Sequence, residues 1–122
     1  MISFFTLKLT ELFTMTNLLA WTFLISAGIA EVVWVYFLKQ SHGLTKIIPT
    51  ILLVIALSIS MSLLALAVKI IPISLAYPIW TGIGAVGAVL IGVLFFGEAM
   101  DIYRAIFLIM IVVGIVGLKF LS

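Results

Sequence analysis

Four long apolar stretches take up nearly all of this sequence. They run from about Asn17 to Leu38, Ile47 to Val68, Pro72 to Phe96 and Ile102 to Leu121, and each supplies the roughly 20 residues a helix needs to cross hydrocarbon. Strands of a membrane barrel would alternate apolar with polar residues, and open sheets leave backbone groups unpaired in lipid. Four transmembrane helices are therefore expected, an all-α integral membrane fold. Composition agrees. Hydrophobic residues make up 66% of the 122 and charged residues 8%, against about half and about a quarter in soluble domains. Six Lys/Arg and four Asp/Glu cannot cover a globule of this size, so the solvent must be lipid.

The same scarcity limits the chemistry. There is no cysteine and one histidine, His42, which excludes disulfides, thiolate metal sites, a cysteine nucleophile and a multi-histidine cluster. No metal or cofactor is expected. A net charge of +2 without a basic run does not suit a nucleic-acid partner. The joints are short: Lys39 to Lys46 with Gly43 able to turn left-handed, Lys69 to Pro72 with Pro72 opening a helix, and Phe96 to Asp101 with two acids near the start of the last helix. Such loops force antiparallel neighbours and leave no room for a soluble catalytic domain. Residues 17–122 read as one transmembrane domain and residues 1–16 as an amino-terminal extension. The extension lacks the basic start and cleavage site of a signal peptide. Two readings of it stay open, an interfacial helix or an upstream start with Met15 the usual beginning.

With four spans, Lys8, Lys69 and Lys119 share one side of the membrane, and Lys39, Lys46 and Arg104 share the other. Three against three gives no orientation bias. Six charges are a small sample; the sharper reading is dual topology, with copies inserted both ways and paired head to tail. Four helices alone also enclose little space for a substrate, which favours a dimer.

Nine of the ten charges lie at span edges, in loops or in the extension, and the tenth is Glu31. A carboxylate at membrane depth is costly, and such residues generally face a cavity and do something there. Proton binding and cation capture compete at such a group. The alternative is a protonated Glu bonded between helices. No second intramembrane acid, base or thiol accompanies it, so an enzyme is not expected. Gly28 and Trp34 lie three residues to either side of it on the same face. Gly28 allows close approach, and Trp34 offers either an indole donor or an interfacial anchor. Ser58, Ser60 and Ser62 in the second span are candidates for bonds across helices or to their own helix, and spacing does not choose among them.

The third span is densest in signals. Tyr77 and Trp80 share a face and can wall a site opposite Glu31, where a cation between a carboxylate and aromatic rings is well held. Pro78, Gly82, Gly84 and Gly87 predict a bend, tight packing, or both. Gly114 and Gly117 mark a packing face on the fourth span, of the kind used between subunits.

Gly28-Ile29-Ala30-Glu31-Val32-Val33-Trp34, Ala76-Tyr77-Pro78-Ile79-Trp80-Thr81-Gly82-Ile83-Gly84, Phe96-Gly97-Glu98 and Gly114-Ile115-Val116-Gly117-Leu118-Lys119 together resemble the small multidrug resistance family. The resemblance covers about Leu19 to Lys119. Glu-Val-Val-Trp resembles its guanidinium-exporter branch, since the branch that exports quaternary ammonium compounds usually has small residues at the position of Trp34. The resemblance implies an antiparallel dual-topology homodimer in the bacterial plasma (inner) membrane, exchanging guanidinium for protons. Glu31 would be the shared proton and substrate site, with Trp34 and Ser60 in the network that orients it. Tyr77 would contribute to the switch, Trp80 would line the pocket, and Gly28 would allow approach to the carboxylate. Ser74-Leu75 and Pro78 depart from the branch pattern near this expected pocket and bear on substrate breadth. The rival expectation is a promiscuous exporter of lipophilic quaternary ammonium cations. A rival of another class is a non-transporting assembly subunit.

Overall fold

The computed structural model describes residues 2–121. It is built from four helices, α1 (Ile2–Gln40), α2 (Ile47–Ala67), α3 (Ile73–Phe95) and α4 (Ile102–Leu121), each long and apolar enough to cross a membrane. The last three fall within a residue of the expected spans. The first does not. α1 begins at Ile2 rather than near Asn17, and its 39 residues measure about 58 Å, nearly twice the roughly 30 Å of bilayer hydrocarbon. No Gly or Pro precedes Gly28 to break it. Thr10, Thr14 and Thr16 donate their hydroxyls to carbonyls four residues back at 2.8–2.9 Å, which satisfies them within the helix.

Each joint has its own device. After α1, the buried Ser41 donates its hydroxyl to Leu38 O at 2.7 Å and accepts the Leu44 N–H at 3.1 Å. Gly43 takes the expected left-handed conformation (φ 74°), and His42 and Leu44 on either side are left-handed as well (φ 49° and 68°). Pro72 caps α3, its carbonyl accepting the N–H groups of Leu75 and Ala76. Of the two acids before α4, Asp101 accepts the Arg104 N–H at 2.8 Å at the helix start, where the dipole favours an anion. Glu98 turns back, its N–H donating to Gly92 O at 2.9 Å.

α1 packs along α2 and α3, and α4 along α3. The contiguous core holds Leu24 and Ala27 of α1, Leu64 and Ala67 of α2, and Ile79 and Trp80 of α3. It therefore occupies the half of the bundle nearest the α2–α3 joint. α4 has no buried residue among those described; it touches α3 where Ile115 lies over Gly82, so close that a Cβ there would be 2.7 Å from Cδ1.

Candidate functional site

Glu31 lies just past the end of this packed half. α1 and α3 run in the same direction with matched levels: Gly28 faces Ile83, Glu31 faces Gly84, and Val32 faces Gly87. The fit at Glu31 is tight. A Cβ on Gly84 would lie 2.6 Å from both Cδ and Oε2 of the carboxylate, so the absence of a side chain at Gly84 is what lets the carboxylate lie on the surface of α3. The sequence reading placed Gly84 among hinge and packing glycines. Here it, with Gly87 against Val32 and Gly28 against Ile83, closes α1 onto α3. α3 itself runs unbroken through Pro78.

One turn before Glu31, three helices are tied together. Ser60, fully buried on α2, donates its hydroxyl to Ala27 O at 2.7 Å and accepts the Trp80 indole N–H at 3.0 Å. Ser58 bonds to its own helix at Val54 O and is exposed, as is Ser62. Among the three serines Ser60 is thus the one that reaches another helix. It does not reach Glu31, however. Neither Ser60 nor Trp34 hydrogen-bonds the carboxylate: Ser60 is engaged with Ala27 and Trp80, and both Glu31 Oε2 and Trp34 Nε1 are buried atoms with no hydrogen-bond partner among the described residues. Buried polar atoms are almost always paired, so two orphans on one helical face are a strong local signal of a ligand-handling surface.

The aromatic pair splits. Trp80 points inward to Ser60, while Tyr77 is 52% exposed and meets Trp80 at a tilt of 54°, with ring centroids 5.6 Å apart. Tyr77 is exposed on the outer surface of the chain, as are Ser74 and Pro78. Gly114 and Gly117 lie on an open face of α4, with no atom of the described chain within 4 Å of where a Cβ would stand.

Beyond Glu31 the α1–α3 groove opens. A cavity of about 540 Å³ begins at Val35 and Ala88, one turn past Glu31 and Gly84, and ends at a mouth formed by Lys39, His42 and Glu98. Sequence reading missed this mouth because its residues come from two joints far apart in the chain. Glu31 thus separates a packed half from an open half. Among the described residues no group of three His, Cys, Asp or Glu side chains is placed to hold a metal.

Residues 19–111 match the family model described as Small Multidrug Resistance protein. The chain is 47% identical over 104 residues to the guanidinium exporter of Proteus vulgaris, covering 85% of this chain and 100% of that one. It is 46% identical over 101 residues to the guanidinium exporter of Escherichia coli K12 and 48% identical over 101 residues to that of Salmonella typhimurium, in each case covering 83% of this chain and 96% of the relative. With a family match over most of its length, a four-helix membrane fold and relatives of nearly half identity, the chain belongs to the small multidrug resistance family.

Proposed function

We propose that this protein is a multi-pass inner-membrane exporter of guanidinium, and not an enzyme, that works by exchanging the cation for protons at Glu31. The observation that carries the reading is the seat of Glu31: a single intramembrane carboxylate against the bare backbone of Gly84, with a buried oxygen that has no hydrogen-bond partner among the described residues, one turn before the first residues that line an open cavity. The relatives named guanidinium exporters support the substrate.

The chemistry follows from the carboxylate. A planar guanidinium cation presents parallel N–H donors that match two carboxylate oxygens, the bidentate geometry of an arginine head group. A proton satisfies the same group by neutralising it. Either ligand removes the cost of a bare charge at membrane depth, and each excludes the other. Exchange becomes coupled transport when the site opens to one side at a time. The packed core before Glu31 and the cavity that begins one turn beyond it support access from one side. In an antiparallel homodimer the partner would be inserted the other way, and an exchange of conformations between the two would turn the opening to the opposite face. Both copies of Glu31 would then border one pocket, and their mutual repulsion would favour holding at least one proton or cation. The balanced lysine and arginine distribution supports dual insertion, and the unpacked Gly114–Gly117 face of α4 supports a packing surface between subunits. Trp34, with its unpaired indole N–H beside the carboxylate's helical face, would restrict the pocket to small planar cations. Tyr77 and Pro78, both outward on the chain, would act in the switch between conformations.

The test is proton release from purified protein on titration with guanidinium and with a tetraalkylammonium ion. Wild type releases protons with guanidinium, and Glu31→Gln releases none. Release driven equally well by the bulky ion would favour the quaternary-ammonium reading. Unchanged release from Glu31→Gln would remove Glu31 from the mechanism.

A further inference from the structure

The cavity beyond Glu31 carries a second carboxylate, and it is seated in the same way as the first. After α3, Gly97 takes a left-handed conformation (φ 66°) and turns the chain back, and the Glu98 N–H donates to Gly92 O at 2.9 Å. The side chain follows its backbone. A Cβ on the buried Gly92 would lie 2.8 Å from Glu98 Oε1 and 2.9 Å from Cδ. A glutamate at a surface ordinarily has many rotamers open to it; this one lies on bare backbone, because its main chain is tied down and Gly92 leaves room. Gly92 follows Gly84 by two turns of α3, about 12 Å along the axis, with Ala88 between them. The two carboxylates therefore mark the two ends of one groove, Glu31 one turn before the first residues of the cavity and Glu98 at its mouth.

Phe96 lines the mouth beside Glu98, its ring backed by Tyr36 of α1 with centroids 5.7 Å apart. Val35, Ala88 and Ile91 make the passage inward apolar. The other charged or titratable groups of the lining are Lys39 and His42 at the end of α1, and no ion pair joins either to Glu98 among the described residues. Asp101, the second acid of this joint, is engaged by the Arg104 N–H. A fixed carboxylate next to a flat ring suits a planar cation, whose in-plane N–H groups meet the two oxygens while its face meets the ring. Lys39 can offer the same carboxylate only a flexible point charge, so it is the weaker competitor.

We propose that Glu98 and Phe96 form a first cation station at the cavity mouth, where guanidinium is held between carboxylate and ring before it passes inward to Glu31. The identity of the cation rests on the export reading above. The station concentrates and orients the cation at the entrance, where water still surrounds it, ahead of an apolar passage.

The test is a titration of the isotope-labelled, full-length protein in detergent, followed by the NMR signals of the Gly92, Gly97 and Glu98 amides. In wild type and in Glu31→Gln alike, guanidinium chloride is expected to shift these signals saturably and tetramethylammonium chloride, of equal charge but without N–H donors, to leave them in place. Glu98→Gln loses the shifts. Gly92→Ala keeps every charge but lifts the carboxylate off α3, and weakens binding about fivefold, equivalent to about 1 kcal/mol. In proteoliposomes, Glu98→Gln lowers kcat/KM for guanidinium by a similar factor, through KM. Equal shifts with both cations, saturable shifts that persist in Glu98→Gln, wild-type affinity in Gly92→Ala, or an unchanged kcat/KM in Glu98→Gln would each overturn the station. Proton release from wild type without shifts at the mouth would overturn the station and spare the export reading. Shifts at the mouth without proton release would overturn the export reading and keep the mouth as a binding site. The same spectra show whether each variant keeps the fold.

Discussion

The Trp80 indole N–H donates to Ser60 Oγ at 3.0 Å, and through that hydroxyl α3 is joined to the Ala27 carbonyl of α1. One small side chain on α2 thus holds both helices that border Glu31 at a fixed level. Replacing Ser60 by Ala leaves the Trp80 donor buried and unpaired. The expected cost is about 1–2 kcal/mol in stability, read as a lower unfolding midpoint in detergent. Guanidinium transport should fall more than stability does, because Glu31 loses a reference one turn away. A midpoint and a transport rate both equal to wild type would show that the bond holds nothing in place.

Gly84→Ala tests the seat of the carboxylate directly. The added methyl would stand 2.6 Å from Glu31 Cδ, and the carboxylate must swing away from α3 to accommodate it. Guanidinium affinity is expected to drop by about tenfold or more, equivalent to about 1.4 kcal/mol, with helix content unchanged. Calorimetry of the purified variant gives the affinity, and circular dichroism the helix content.

How much of this was readable beforehand differs from residue to residue. The three later helices follow from apolar length, since hydrocarbon thickness sets their ends. Glu31 follows from scarcity, because one charge in the middle of a span has no bland neighbour to hide among. Ser60 did not follow from spacing: Ser58 and Ser62 lie on the same stretch, and what separates the three is which helix lies opposite, a tertiary fact. The start of α1 was missed because hydropathy marks where lipid ends and says nothing about where a helix ends. Gly84 was visible as a glycine, but its purpose depends on the register of α1 against α3, which no pattern within either helix contains. The cavity mouth of Lys39, His42 and Glu98 joins residues nearly 60 positions apart for the same reason.

Proton competition has a definite sign. If guanidinium and protons share Glu31, lowering the pH fills the site with protons and weakens cation binding. For each proton displaced per cation bound, the apparent Kd rises by up to about tenfold per pH unit over the range in which the site is protonated. Affinity should therefore be highest in mildly alkaline buffer and fall steadily toward acid. Binding isotherms recorded across that range check this, and a flat dependence would mean that the cation binds without displacing a proton.

The open face of α4 separates the folding of one chain from its assembly. A Cβ at Gly117 would have no atom of another described helix within 4 Å, so Gly117→Leu is expected to leave the packing of α1 to α3 undisturbed. If two copies associate through this face, the same leucine enters a helix–helix contact that small residues keep close, and overpacking there typically costs about 1–3 kcal/mol. The expected outcome is a variant with wild-type helix content whose dimer dissociates on dilution in detergent at a concentration about tenfold higher than wild type. Transport falls in proportion to the loss of dimer, since the proposed mechanism needs both copies of Glu31 at one pocket. Analytical ultracentrifugation and energy transfer between singly labelled chains measure the association. A tight dimer that keeps full transport with leucine at Gly117 would move the subunit contact to another face of the molecule.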